Sequence, residues 1–123
     1  MATASMSERV QAHLQAHLQE HLAEHLLTTA VAYAMQVAPE LSERLFLAAQ
    51  LVRAGHVESS LTGVPLWYVR SQDPCQPTRF YAVGERRRGP WSCTCPDYEQ
   101  YQTWCKHALA AALVKRLGGA RAR

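Results

Sequence analysis

Cys93, Cys95, Cys105 and His107 stand as Cys-x-Cys, nine intervening residues, then Cys-x-His. Three thiolates and one imidazole form a complete tetrahedral shell for zinc, closed to water, which is the mark of a structural site rather than a catalytic one. The local chain favours convergence. In an extended segment residues i and i+2 project to the same side, so Cys93 and Cys95 point together, and Pro96 biases Cys95 toward extended backbone. In a helix i and i+2 are about 200° apart. Cys105 and His107 therefore converge only if Cys105 sits at or just before a helix start. The run Ala108 to Leu117 is a good helix candidate, which puts His107 in the first turn, near the positive end that favours thiolates.

The elements that must position these ligands follow from the flanking residues. Phe80-Tyr81-Ala82-Val83 reads as a strand, Trp91-Ser92-Cys93-Thr94-Cys95 as the next, and Pro96-Asp97-Tyr98 follows the second ligand. Cys105-Lys106-His107-Ala108-Leu109-Ala110 opens the helix. These segments resemble the SWIM zinc finger family over about residues 55–117. The resemblance implies a β-hairpin or small sheet leading into a zinc-bound helix, with a role in binding DNA or protein. It carries nothing for the first fifty residues.

Upstream, Ser5-Met6-Ser7-Glu8 fits a capping box, and helical periodicity runs from Ser7 to Val37. Pro39 suits the first turn of a second helix over 39–54, with Gly55 as its C′ residue. The short connection predicts an antiparallel hairpin. Strands are expected over His56–Leu61 and Pro65–Arg70, with a turn at Thr62-Gly63 between them, and over Arg79–Val83 and Trp91–Cys95. The last helix is expected to end at Gly118-Gly119. The expected class is α+β: an N-terminal α-helical hairpin (1–54), then a SWIM-type zinc-finger module (55–117) of small antiparallel β-sheet and zinc-bound C-terminal helix, then a basic flexible tail (118–123).

Charge is unevenly placed. Residues 1–60 carry three basic and six acidic side chains, net −3, whereas residues 61–123 carry ten and four, net +6. The basic half suggests contact with a polyanion. Candidate phosphate contacts are Arg86, Arg87, Arg88, Lys106, Lys115 and Arg116, with an outward aromatic such as Trp67 stacking on unpaired bases. Two functional classes follow. One is a nucleic-acid (DNA) binding accessory factor in recombination, repair, transposition or transcription; the other is a protein-interaction adaptor docking on a larger DNA-processing enzyme. A closed metal shell and the lack of a nucleophile–base pair or phosphate loop argue against an enzyme.

Compartment follows from the cysteines. The first residues lack the basic and apolar regions of a secretory leader, and thiols used as ligands suit a reducing, cytoplasmic setting. No run of eighteen apolar residues is present, so no membrane span is expected. Cys75, between Pro74 and Pro77, is expected to be a free thiol in a loop.

The N-terminal helix holds one further pattern, a four-residue repeat that places His13, His17, His21 and His25 on one ridge and Leu14, Leu18, Leu22 and Leu26 on a neighbouring one. The leucine ridge is expected to pack partly on helix 39–54 and partly on a second chain, making the protein a homo-oligomer. The histidine ridge reads as a half-exposed flank of that face, as adventitious metal ligands, or as a pH-sensitive interface.

Overall fold

The computed structural model describes residues 5–60 and 65–121. The expected Thr62-Gly63 turn lies outside them, as do Ala122 and Arg123. Helix α1 spans Met6–Val37, capped by Ser5, whose Oγ accepts the Glu8 N–H at 3.1 Å. A 3-10 turn, Pro39–Leu41, leads into α2, Ser42–Arg53. The proline lacks an N–H and takes up the tight turn, so the α-helix begins three residues later than expected. At the other end Gly55, at φ 71°, closes α2: its N–H bonds Val52 O and the His56 N–H bonds Leu51 O, both at 3.1 Å. That pair is a Schellman motif, which needs the left-handed conformation glycine adopts without strain.

Four strands follow: β1 Val57–Ser59, β2 Leu66–Arg70, β3 Phe80–Gly84 and β4 Ser92–Cys93. They form an antiparallel sheet in chain order, with Val57 opposite Val69, Trp67 opposite Val83, and Val83 opposite Cys93. Strand β4 is shorter than the expected Trp91–Cys95, because Cys95 leaves the sheet to cap a six-residue helix, α3, Pro96–Tyr101. The chain ends in α4, Lys106–Arg121.

Alternation divides the sheet into two faces. Trp67, Val69, Val83 and Cys93 are buried, with Tyr81 half-buried beside them, and this face packs on α4. Tyr68, Arg70 and Phe80 are exposed on the other face. Helix α2 lies on α4 as well. Leu45, Ala48, Ala49 and Leu51 join Ala108, Ala110, Ala111 and Leu113 in one core, which also takes in Leu27 and Val31 of α1. The alanines let the helices approach closely. The core therefore runs without interruption across residue 54, where the sequence pattern changes from helix to strand.

Two expectations about helix ends and faces are corrected. Helix α4 continues through Gly118-Gly119 to Arg121, so most of the supposed tail is helical. Extending an existing helix through glycine costs only about 1 kcal/mol per residue, and Gly118 is not in the left-handed conformation that would stop it. On α1, Arg53 at the end of α2 pairs with Glu24 at 2.8 Å, so α2 does run back along α1. It covers only the C-terminal part of that helix, and every residue from Met6 to Leu26 is exposed. No part of the Leu14–Leu22 ridge packs on α2. Leu18 and the buried Leu27 are nine residues apart, which at 100° per residue places them on opposite sides of the helix. No helix among the described residues is long and apolar enough to cross a membrane.

Candidate metal centre

Three elements deliver the four predicted ligands to one point. Cys93 ends β4, Cys95 is the N-cap of α3, and Cys105 immediately precedes α4, with His107 as the second residue of that helix. Their ligand atoms all lie within 4.8 Å of one another, and all four side chains are buried. Sulfurs held about 2.3 Å from a zinc ion in a tetrahedron are about 3.8 Å apart, so the cluster fits such an ion with little contraction.

The two inter-element cysteines are held alike. Cys95 Sγ accepts the Tyr98 N–H and Cys105 Sγ accepts the Ala108 N–H, each at 3.4 Å and each three residues downstream. A helix start supplies unpaired N–H groups, and here sulfur takes the place of the usual capping oxygen. The same bonds stabilise negative charge on sulfur. Among the three sulfurs the charge is unequally shared. Hydrogen bonds from Cys105 and Cys93 draw Cys95 well below the ordinary thiol range, while hydrogen bonds to Cys105 and Cys95, together with burial, push Cys93 well above it. Three thiols packed this closely cannot all ionise without a cation among them.

His107 supplies the second test of fit. Its Nδ1 is buried and has no hydrogen-bond partner in the protein, a costly state for a polar atom unless something else occupies its lone pair or proton. A metal bound through that nitrogen removes that cost. The Tyr81 ring lies against the imidazole, centroids 4.5 Å apart, and fixes its plane. Arg44 of α2 grips Asp97 of α3 through two 3.0 Å bonds, tying the helical layer to the loop that carries Cys95.

The six predicted phosphate contacts are dispersed. Arg86, Arg87 and Arg88 are exposed in the turn after β3, which closes through Gly89 at φ 73°. Arg86 donates to Tyr98 Oη at 3.2 Å. Lys115 sits near this turn, paired with Glu85 and 5.6 Å from the centroid of the Trp91 ring, and Arg116 is exposed next to it in the chain. Lys106 lies at the other end of α4, about 14 Å away along the axis, where its Nζ reaches Gln72 at 3.4 Å. Trp67 is not available for stacking. It is 8% exposed and its Nε1 donates to Glu85 at 2.9 Å. The outward aromatics are Tyr68, 39% exposed, and Phe80, 43% exposed, with the Arg70 guanidinium 5.6 Å from the Phe80 centroid. Strand parity would have separated Tyr68 from Trp67, but it could not say which of the two faced the core. Cys75 is exposed and unbonded to another cysteine.

Comparison with known proteins agrees with the geometry at its centre. Residues 83–116, from β3 to the middle of α4, match the family model of the SWIM zinc finger. The match includes all four ligands and excludes β1, β2 and the helical layer. No curated protein and no solved structure matches the chain.

Proposed function

We propose that Cys93, Cys95, Cys105 and His107 hold one zinc ion in a structural role, and that the module so formed binds nucleic acid, in this reading DNA, as an accessory factor in recombination, repair, transposition or transcription. Zinc is favoured by the donor set, because three thiolates and an imidazole in a tetrahedral cluster suit it over harder cations. The four protein ligands leave no open coordination position for a reacting water, which favours a binding role over a hydrolytic one.

The observation that carries the nucleic-acid reading is the run of three exposed arginines, Arg86 to Arg88, at one end of a sheet whose open face carries Tyr68, Phe80 and Arg70. Arginines suit phosphates as fixed forks, and aromatic faces suit unpaired bases. The test is binding of short single- and double-stranded oligonucleotides across a salt series. With three or four phosphate contacts, the log–log slope for single strands is expected at roughly −2 to −3. Replacing Arg86, Arg87 and Arg88 together by Ala flattens it, without loss of metal. Substituting Phe80 weakens single strands more than duplex and leaves the slope in place. Absence of binding to either form at low salt contradicts this reading. The competing one, a protein-interaction adaptor, is favoured by the exposed apolar row on α1.

A further inference from the structure

Helix α1 carries Val10, Leu14, Leu18, Leu22 and Leu26 as one row, and all five are exposed, the central three by 54, 65 and 56%. At its centre the row points away from the body of the protein: Leu18 lies half a helical turn from the buried Leu27. The stretch from Met6 to Leu26, about 30 Å long, meets the body at its C-terminal end, where Glu24 pairs with Arg53, and its apolar row stays exposed. An exposed apolar row of this length marks an interaction surface.

The row itself identifies the occupant. It is symmetric about Leu18: Leu14 and Leu22 lie four residues to either side, Val10 and Leu26 eight, and Gln15 and His21 three. A two-fold contact requires the same patch on both partners, each residue meeting its mirror position in the other copy. The face is also free of formal charge. Arg9, Glu20 and Glu24 lie about 120° or more around the helix from Leu18, and Glu8 about 80°, ten residues away, so no charge falls among Leu14, Leu18 and Leu22 to select a charged partner or a polyanion. We infer that a second copy of this chain covers the row, with two α1 helices crossing antiparallel at Leu18.

The packing is of a common kind. Residues at i, i+4 and i+8 form a ridge, and two such ridges interdigitate at about −50°. Leu14 of one copy then meets Leu22 of the other, and Gln15 lies beside His21 as a neutral hydrogen-bonding pair. At its Leu26 end the row runs into a groove of about 870 Å³, lined in part by Leu22, Leu26, Val52, Val57, Val114 and Leu117. The two-fold axis brings Val10 of the second copy to that end. Val10 and Leu26 lie about 80° around the helix from Leu18 on opposite sides, so Leu14, Leu18 and Leu22 form the centre of the contact and the buried area falls at the weak end of interfaces, below about 1,200 Å² in total. Association is therefore reversible, and it is independent of the metal and nucleic-acid readings.

Cysteine cross-linking reads the register. In a Cys75→Ala background, which removes the exposed native thiol, Leu18→Cys is expected to give a disulfide-linked dimer on mild oxidation. Leu14→Cys and Leu22→Cys alone are expected not to link, but to link to each other when mixed. Light scattering at tens of micromolar protein should find a dimer for the unaltered chain and a monomer for Leu18→Glu, with metal content unchanged because Leu18 is exposed on the side of α1 opposite the buried Leu27. A monomeric unaltered chain, a Leu18→Glu variant that stays dimeric, or Leu14→Cys linking to itself as readily as Leu18→Cys overturns the inference.

Discussion

Helix α4 and the first two-thirds of α1 draw on the same residues, alanine and leucine, yet their surroundings are opposite. From Ala108 to Ala111 every residue of α4 is buried, between α2 on one side and the sheet on the other. From Met6 to Leu26 of α1 none is. The difference lies in anchoring. The first turn of α4 carries His107 and follows Cys105, so the cluster fixes where the helix begins and which way it points. Its alanines then let α2 and the sheet close in. The leucines of α1 recur every four residues, so their row drifts by about 40° per repeat and turns away from the face that Leu27 and Val31 bury. Composition says a helix will form in both places; the position of the anchor decides which one the core is built on.

The largest expected effect breaks the anchored region. Zinc binding in small motifs is worth on the order of 10–16 kcal/mol at neutral pH, comparable to or larger than the whole stability of a typical domain. Cys95→Ala, or a strong chelator, is expected to unfold α3, α4 and the sheet. Because Leu45, Ala48, Ala49 and Leu51 pack on α4, α2 is expected to melt with them. The sequence pattern alone suggests that the helical hairpin survives. Loss of near-ultraviolet circular dichroism together with most of the helical signal distinguishes the two outcomes.

Next in size is a matched pair of leucine truncations. Leu51 is fully buried, and Leu51→Ala is expected to cost about 2–5 kcal/mol in denaturant unfolding. Leu18→Ala, measured on the monomer, is expected to change stability by less than about 0.5 kcal/mol. Equal losses would erase the distinction between the regions. Smaller again is the tie between the helical layer and the cluster. Arg44 and Asp97 are about a third exposed, so Arg44→Ala is expected to cost on the order of 1 kcal/mol, with a matching rise in the rate at which a chelator removes metal.

The smallest effect is a pH dependence at the far end of α4. Burial pushes the Glu85 carboxyl up, but hydrogen bonds from Lys115 and Trp67 outweigh it and hold its pKa below the ordinary value. A carboxylate depressed in the folded state contributes stability above its unfolded value and loses it as pH falls through its folded one. Stability is therefore expected to drop on acidification below the usual carboxylate range, and Glu85→Gln should remove that part of the profile.

Much of the metal centre was legible in the sequence, because ligand type and spacing are local. The Cys-x-Cys and Cys-x-His pairs, the helix start at Cys105 and the Gly55 cap all depend on neighbours within a few residues. What escaped was set by distant packing. Nothing local distinguishes Trp67 from Tyr68, both apt for a strand; Glu85, eighteen residues away, takes the indole N–H and α4 covers that face. Nothing local says that α2 rests on α4, or that the leucine row of α1 turns outward, since both depend on where the body meets α1. The glycines at 118 and 119 misled for a similar reason: they mark a helix end only where the chain needs to turn.

Native mass spectrometry of the full chain tests the central claim most directly. One zinc ion per chain is expected, lost in Cys95→Ala and retained when Arg86, Arg87 and Arg88 are replaced by Ala. A folded chain carrying no metal, or a Cys95→Ala variant that keeps both its zinc and its fold, would contradict it.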